Sequence, residues 1–251
     1  MLLDGRELVG YIHERQLRQA RGLKTRPRLA IVRQGATKAS DVFLRLKVAY
    51  GLEIGVPVDT YTETRESLLE RIHLLNKDAA VTGIIVQLPL ADATELTGEA
   101  LVAVAPDKDV DGLAPNSPYQ SATPKAIAWL LAAYNIDLKG KHIVVVGQGK
   151  LVGKPMADRL ETSGYEVVRL DDAVGDLGAE LLQADVIITA TGKAGLITSS
   201  MVQPGTVVVD AGAPKSDLAD DLRARTDIKI TPNPGGVGPV TVAALFDNLL
   251  S

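Results

Sequence analysis

The stretch GKHIVVVGQGKLVGKP, residues 140–155, decides how the chain is read. Ile143 to Val146 are all β-branched, which suits a strand buried on both faces of a parallel sheet. Gly147, Gly149 and Gly153 break the run, and a helix is predicted from Gly153 to Ser163. The spacing is GxGxxxG, one residue longer than the usual dinucleotide fingerprint. Glycines here permit a tight turn and let backbone N–H groups approach a pyrophosphate at a helix N-terminus, where the dipole favours negative charge. An ordinary strand-to-helix turn would use the same glycines, so the flanking chain has to decide between the two.

Working outward, β/α alternation runs through the whole chain. Upstream, helices are predicted over 4–21, from an N-cap at Ser40, over 66–75 and over 93–104, and strands over 28–33, 56–61 and 83–87. The helix after Ser40 is expected to bury Val42, Phe43, Leu46, Ala49 and Tyr50 on one face. Residues 105–124, APDKDVDGLAPNSPYQSATP, hold four prolines without periodicity and mark a domain boundary or a functional loop. Thr123–Pro124 fits an N-cap and first helical position, opening a helix to Ala133. Downstream, strands are predicted over 165–170, 185–188, 206–209 and 228–230. TPNPGGVGPVT, 231–241, is too rich in Pro and Gly for regular structure. The last helix carries Val242, Leu245, Phe246 and Leu249 on one face and needs a partner surface.

Composition narrows the function classes. The chain has 251 residues, enough for two modest domains, with 46% hydrophobic and 23% charged residues. Its net charge is −4 and it has no dense Lys/Arg block, so neither nucleic acid nor an anionic membrane is expected as a partner. It has no cysteine, which excludes disulfides, thiolate catalysis and Cys-ligated zinc. His13, His73 and His142 are scattered, and no metal site is expected. Neither a signal-peptide pattern nor an apolar run long enough to span a bilayer is present, so a cytoplasmic location is the default expectation.

Four positions outside the glycine turn could carry chemistry. Lys47 lies four residues after Phe43, on the same flank of one helix. It is either a lysine snorkelling beside an apolar stripe or a desolvated lysine whose lowered pKa makes it a base. Gln87 ends the strand GIIVQ, where α/β sheets place ligand contacts, although a glutamine that satisfies nearby backbone would look the same. Asp107 to Gly112 begins like a calcium loop, but Pro118 stands where the bidentate glutamate is needed, so calcium is rejected. Asp111–Gly112 is either only a turn or places an aspartate that binds a cationic or amidine-like group. The Gly-Pro stretch at 231–241 calls for the close approach of a ligand or of another backbone.

Together these stretches resemble the bifunctional methylenetetrahydrofolate dehydrogenase/methenyltetrahydrofolate cyclohydrolases over nearly the whole chain. The matching pieces, in order, are Ala39–Ser40 with Lys47 and Gly55, GIIVQLPL (83–90), KDVDG (108–112), Thr123–Pro124, LVGKPM (151–156) and PGGVGPVT (234–241). The resemblance implies two α/β domains facing across a cleft, the second a Rossmann-like dinucleotide-binding domain with a parallel sheet. Residues 1–122 plus a C-terminal helix at 240–251 would form the folate-binding catalytic domain, and 123–239 the NAD(P)-binding domain. It implies Lys47 as the key catalytic residue, Gln87 as its support and Asp111 as the residue holding the pterin end of folate. Substrate contacts would further come from Phe43, Leu88, Pro89, Gly235, Gly236 and Pro239. Cofactor contacts would come from Gly147, Gln148, Gly149, Val152, Gly153, Pro155, Asp171, Asp172, Thr191, Gly192 and Gly236. The implied activities are oxidation of 5,10-methylenetetrahydrofolate to the methenyl form with NAD(P) and hydrolysis of that product to 10-formyltetrahydrofolate. A homodimer acting on tetrahydrofolate one-carbon derivatives is the expected assembly.

The sequence also departs from the family pattern. Phe43 stands where tyrosine is usual and brings no hydroxyl. Gln148–Gly149 replaces the Arg-Ser of NADP users, and Asp171–Asp172 ends the second strand of the cofactor unit. An acidic side chain about 20 residues beyond the glycine turn hydrogen-bonds a ribose 2′-OH and repels a 2′-phosphate. NAD is therefore favoured over NADP, unless Lys150, Lys154 or Arg169 neutralises a phosphate. The segment 211–229 looks short, lacks the family's Gly-Asp-Val turn and has no functional account in the sequence; Asn233 replaces the usual valine. Alternatives are a monofunctional NAD-dependent dehydrogenase with weak or no cyclohydrolase activity, and, from a different class, a non-catalytic folate- or nucleotide-binding protein.

Overall fold

The computed structural model describes residues 1–35, 38–90 and 94–251, with the backbone alone at 38–40 and 94–95. The chain divides into two compact units. One holds Gly10–Ala122 and Val242–Ser251, the other Met1–Val9 and Thr123–Thr241. This division differs from the sequence expectation at the N-terminus, because the first nine residues belong with the unit that holds residues 123–241. Met1 and Leu3 bond the backbone at Ile228 and Ile230, and Gly5 N–H donates to the Gly235 carbonyl at 2.9 Å.

The first unit contains most of α1 (Gly5–Gly22), then β1 (Leu29–Gln34), α2 (Lys38–Ile54), β2 (Val58–Glu63), α3 (Arg65–Lys77), β3 (Gly83–Val86) and α4 (Thr94–Ala103). Its three strands are parallel in the order β2-β1-β3. A core of Ala30, Val32, Leu68, Ile72, Ile84, Val86 and Ala100 lies between the sheet and the helices α3 and α4. Thr64 caps α3 through a capping box with Ser67. The expected start of the fourth helix at Ala93 falls outside the described residues, as does the Ser40 side chain; α2 itself begins at Lys38, so Ser40 lies within the helix and is not its N-cap.

The α2 stripe differs from expectation. Val42, Leu46 and Ala49 are exposed, while Lys47, Tyr50 and Ile54 are buried and Phe43 is half-buried. The buried line therefore runs Phe43, Lys47, Tyr50, Ile54, with a lysine where an apolar residue would ordinarily sit. The same holds in α1, where Gln16 is fully buried between Ile12 and Ala20. Its amide is satisfied on both sides: Tyr50 Oη donates to Gln16 Oε1 at 2.6 Å and Gln16 Nε2 donates to the Ala243 carbonyl at 2.8 Å.

The second unit contains α5 (Ala122–Ala133), β4 (Ile143–Val146), α6 (Gly153–Thr162), β5 (Val167–Leu170), α7 (Leu177–Leu181), β6 (Val186–Thr189), β7 (Val207–Asp210), α8 (Asp220–Arg223) and β8 (Lys229–Ile230). Its five strands are parallel in the order β5-β4-β6-β7-β8. Helix α5 begins at Ala122, so Pro124 lies within its first turn and Thr123 is helical rather than capping. Helices α7 and α8 were not expected; both are very short, and α7 is capped by Asp176, whose carboxylate accepts from Ala179 N–H at 3.0 Å.

The last helix, α9 (Val237–Leu250), starts inside the Pro-Gly stretch that was expected to be irregular. Proline is tolerated there because Pro239 falls in the first turn, where amides have no intrahelical partner. Nor is α9 amphipathic: Val240, Val242, Ala243, Ala244, Leu245, Phe246, Leu249 and Leu250 are all buried. Among the described residues no helix is long and apolar enough to cross a membrane.

Candidate active site

The first group of predicted residues assembles at the C-terminal ends of β1 and β3, where the order of the three-stranded sheet reverses. Such a reversal is where open α/β sheets bind ligands. Gln87 follows β3 and donates its backbone N–H to Val32 in β1 at 2.8 Å. Lys47 reaches it from α2: Lys47 Nζ donates to Gln87 Oε1 at 2.9 Å, while Gln87 Nε2 donates to the Leu88 carbonyl at 2.9 Å. Lys47 is only 7% exposed and Gln87 5%. Leu88 is half-buried and Pro89 exposed beside them.

Asp111 enters from the loop that broke the β/α rhythm, and its neighbours in KDVDG serve to hold it. Lys108 Nζ donates to the carbonyls of Leu75, Asn76 and Asp78 at the end of α3. Asp109 is buried and accepts the Ala114 amide at 2.7 Å. Val110 is buried, and its carbonyl accepts from Asn248 of α9 at 2.9 Å. Gly112 adopts φ +69°, and a Cβ there would lie 2.7 Å from the backbone at Gln120. Only glycine fits that turn. Asp111 stands out in the sequence whereas Lys108, Asp109 and Asn248 do not, because a loop-anchoring role shows no periodicity.

Burial and mutual charge shift both ionisable groups of this cluster. Burial pulls the Lys47 ammonium below the ordinary lysine range, and the charge of Asp111 opposes that shift. Burial pushes the Asp111 carboxyl up, Lys47 pulls it back, and Asp109 adds to the rise. A buried lysine that holds its proton less tightly than usual, with a carboxylate nearby, is suited to exchange a proton with a substrate and to bind a cationic one.

The second group lies in the five-stranded unit, around a cavity of about 740 Å³ lined by Gly147, Gln148, Gly149, Asp171, Asp172, Thr191 and Lys193 among others. The three glycines divide their work. A Cβ on Gly153 would lie 1.7 Å from the Gly147 carbonyl oxygen, and one on Gly147, at φ +90°, would lie 2.7 Å from the Ala190 oxygen; a Cβ on Gly149 would meet nothing within 4 Å. Gly153 and Gly147 therefore close the turn, and Gly149 leaves room above it. No side chain caps α6, whose N-cap residue is Val152; Pro155 occupies its first turn. An open glycine beside an uncapped helix N-terminus fits the pyrophosphate of a dinucleotide. Val152, Gly153, Pro155 and Gly192 support the turns rather than line the cavity. The Gln148 side chain folds back, donating to the Val145 carbonyl at 3.1 Å.

The two aspartates after β5 differ. Asp171 is pinned, its Oδ1 accepting the Ala173 amide at 2.8 Å, whereas Asp172 is 83% exposed and pairs with Lys193 at 2.5 Å. Of the cations that could receive a phosphate, Arg169 is held by Asp158 and Glu161, and Lys154 by Asp158. Gly236 approaches another backbone, since a Cβ on Gly5 would lie 1.9 Å from its oxygen, whereas a Cβ on Gly235, at φ +116°, would lie 3.1 Å from the Arg6 guanidinium and one on Gly238 would meet nothing within 4 Å.

Comparison with known proteins matches both halves. The family model described as "Tetrahydrofolate dehydrogenase/cyclohydrolase, catalytic domain" matches residues 3–111, and "Tetrahydrofolate dehydrogenase/cyclohydrolase, NAD(P)-binding domain" matches 121–251. The chain belongs to the tetrahydrofolate dehydrogenase/cyclohydrolase family. Within it, the chain is 38% identical to the bifunctional protein FolD of Polaromonas sp., covering 99% of this chain and 96% of that one. The crystal structure of the bifunctional enzyme FolD, methylenetetrahydrofolate dehydrogenase/cyclohydrolase, from Campylobacter jejuni superposes with a TM-score of 0.90 at 34% identity, covering 100% and 97% of the two chains. The Trypanosoma brucei dehydrogenase-cyclohydrolase, solved with NADP and an inhibitor, gives 0.91 at 29% identity, covering 100% and 96%.

Proposed function

We propose that the chain oxidises 5,10-methylenetetrahydrofolate with NAD and hydrolyses the methenyl product to 10-formyltetrahydrofolate, with Lys47 serving the hydrolysis. Membership of the family supplies both activities and the NAD(P)-binding domain. The observation that carries the assignment of Lys47 is its burial with a hydrogen bond to Gln87 and the opposing charge of Asp111.

A dinucleotide held at the Gly147–Gly153 turn and the Asp171 side of the cavity would supply the acceptor for a hydride from the methylene carbon between the two folate nitrogens. The product cation is delocalised over N–C–N, so oxidation asks the protein for positioning more than for a base. Asp111 is assigned to the pterin end, and Phe43, Leu88, Pro89, Gly235, Gly236 and Pro239 to further substrate contacts. In hydrolysis, water forms a C–O bond at the cationic carbon and sheds a proton. Neutral Lys47 takes that proton while Gln87 fixes its amine; as the C–N5 bond breaks, that proton passes to N5, and the carbinol O–H loses its own proton to water as the formyl carbonyl forms, so one proton is released overall.

The preference for NAD is supported by three features: Asp171 at the cavity, the Asp172–Lys193 pair, and the engagement of Arg169 and Lys154 by acids on α6. A 2′-phosphate would meet Asp171 there, and the cation on the cavity wall, Lys193, is already paired with Asp172. Values of kcat/KM for NAD and NADP test this; the expected ratio favours NAD, and a clear preference for NADP overturns it. The family reading also proposes a cytoplasmic homodimer joined through the five-stranded unit. Sedimentation at twice the chain mass is the expected result.

A further inference from the structure

The loop after β7 carries a carboxylate that neither reaction uses. Asp217 is fully buried. Its Oδ2 accepts from the Thr189 hydroxyl at 2.6 Å and from the Thr191 amide at 2.7 Å, whereas its Oδ1 has no hydrogen-bond partner. A buried carboxylate left half-satisfied calls for a reason.

What it holds is visible in the topology. From β4 the chain runs outward to β5 and then returns to β6 on the other side of β4, so β4 and β6 flank the reversal point of the sheet. The turns that follow these two strands touch, since a Cβ on Gly147 would meet the Ala190 oxygen at 2.7 Å. Thr191 lies in the cavity wall and leads into Gly192 at φ +69°. A shift of the 190–192 turn therefore presses on Gly147.

The loop is fixed from its other side by a separate carboxylate. Asp210, the last residue of β7, accepts the amides of Gly212 at 2.9 Å and Asp217 at 3.3 Å through Oδ1. Its Oδ2 accepts from Ser216 at 2.6 Å and from Arg223 of α8 at 2.7 Å. Arg223 thus neutralises Asp210. Gly212 leaves no slack: a Cβ there would lie 2.4 Å from Asp217 Oδ1.

We propose that Asp217 is a positioning residue for the dinucleotide, fixing the 190–192 turn against Gly147 so that the crevice keeps the width the cofactor needs. This gives the 211–229 segment, which carries Asp217, a function. The proposal rests on the NAD(P) reading of the cavity but not on the folate chemistry, so it is tested by direct binding. NADH and NADPH are titrated into the purified full-length chain, and the tighter of the two serves as probe for the variants. Asp217→Ala is expected to raise its Kd by ~10-fold or more, because misplacement of a supporting group is felt at the bound ligand. Asp217→Asn, which keeps one oxygen to accept both bonds, should stay within ~3-fold of the parent. Gly212→Ala, acting only by displacing Asp217, should behave like Asp217→Ala and decides the matter if that variant does not fold. In turnover the loss should appear in KM for the dinucleotide and not in KM for the folate. A folded Asp217→Ala or Gly212→Ala that binds the probe like the parent, with only its Tm lowered, overturns the proposal. Failure of the parent to turn over methylenetetrahydrofolate while it still binds the probe would instead count against the folate reading.

Discussion

Lys47 shares the buried line of α2 with Tyr50 and Ile54, so its ammonium has given up water for one glutamine oxygen and the more distant charge of Asp111. The neutral fraction of such a lysine grows as pH rises through its lowered pKa. Enzyme-catalysed hydrolysis, after subtraction of the uncatalysed rate, should therefore climb with pH and level off below the ordinary lysine value of about 10.4. That limb should vanish in Lys47→Met. The same shift has a stability consequence. Between the lowered native pKa and the unfolded value the native chain binds fewer protons, so this residue's contribution to stability rises with pH across that window. Phe43 precedes Lys47 by one turn and cannot orient water. Phe43→Tyr is expected to raise the hydrolysis rate by ~10-fold or less, a modest general-catalysis gain, with oxidation unchanged; a comparison of the two rates on one preparation checks it. The lysine itself was legible as a candidate because of its spacing from Phe43. Its burial was not, since Val42, Leu46 and Ala49 offered a more apolar stripe that the fold turns outward.

At the scale of elements, the β4–α6 turn works because two of its glycines are compressed and one is open. Gly153→Ala would force a Cβ into the Gly147 carbonyl, which backbone cannot relieve locally. The expected result is a dinucleotide KM raised ~10-fold or more, together with a lower Tm, since overpacking costs about 1–3 kcal/mol. Cofactor titration and thermal unfolding of the same variant check both. The parallel strands were readable from their β-branched runs, whose periodicity does not depend on context. The short helices α7 and α8 were not, because one turn carries no period; nor was the start of α9, hidden in a Pro-Gly run that reads as loop. The KDVDG loop was read only for Asp111, while Lys108, Asp109 and Asn248, which hold it, became visible through their backbone partners.

At the scale of the molecule, the chain ends cross between units. Met1–Val9 belongs with the five-stranded unit and Val242–Ser251 with the three-stranded one. A cut after residue 122 is therefore expected to leave a half that does not fold. A fragment of residues 1–122 lacks Leu245, Phe246 and Leu249, which are buried in the intact chain, and loses the Asn248 anchor of the Asp111 loop. Losing one buried Phe or Leu alone costs about 2–5 kcal/mol, comparable to the stability of a small domain, so circular dichroism should show the fragment unfolded. The central claim is that one chain performs oxidation and hydrolysis and that Lys47 separates them. The most direct measurement adds methylenetetrahydrofolate and NAD to purified parent and Lys47→Met proteins and follows reduced dinucleotide and methenyl product together. The account predicts that the parent passes methenyl product on to 10-formyltetrahydrofolate, and that Lys47→Met keeps far more of its oxidation than of its hydrolysis and lets methenyl product accumulate. An equal fall in both activities would contradict it.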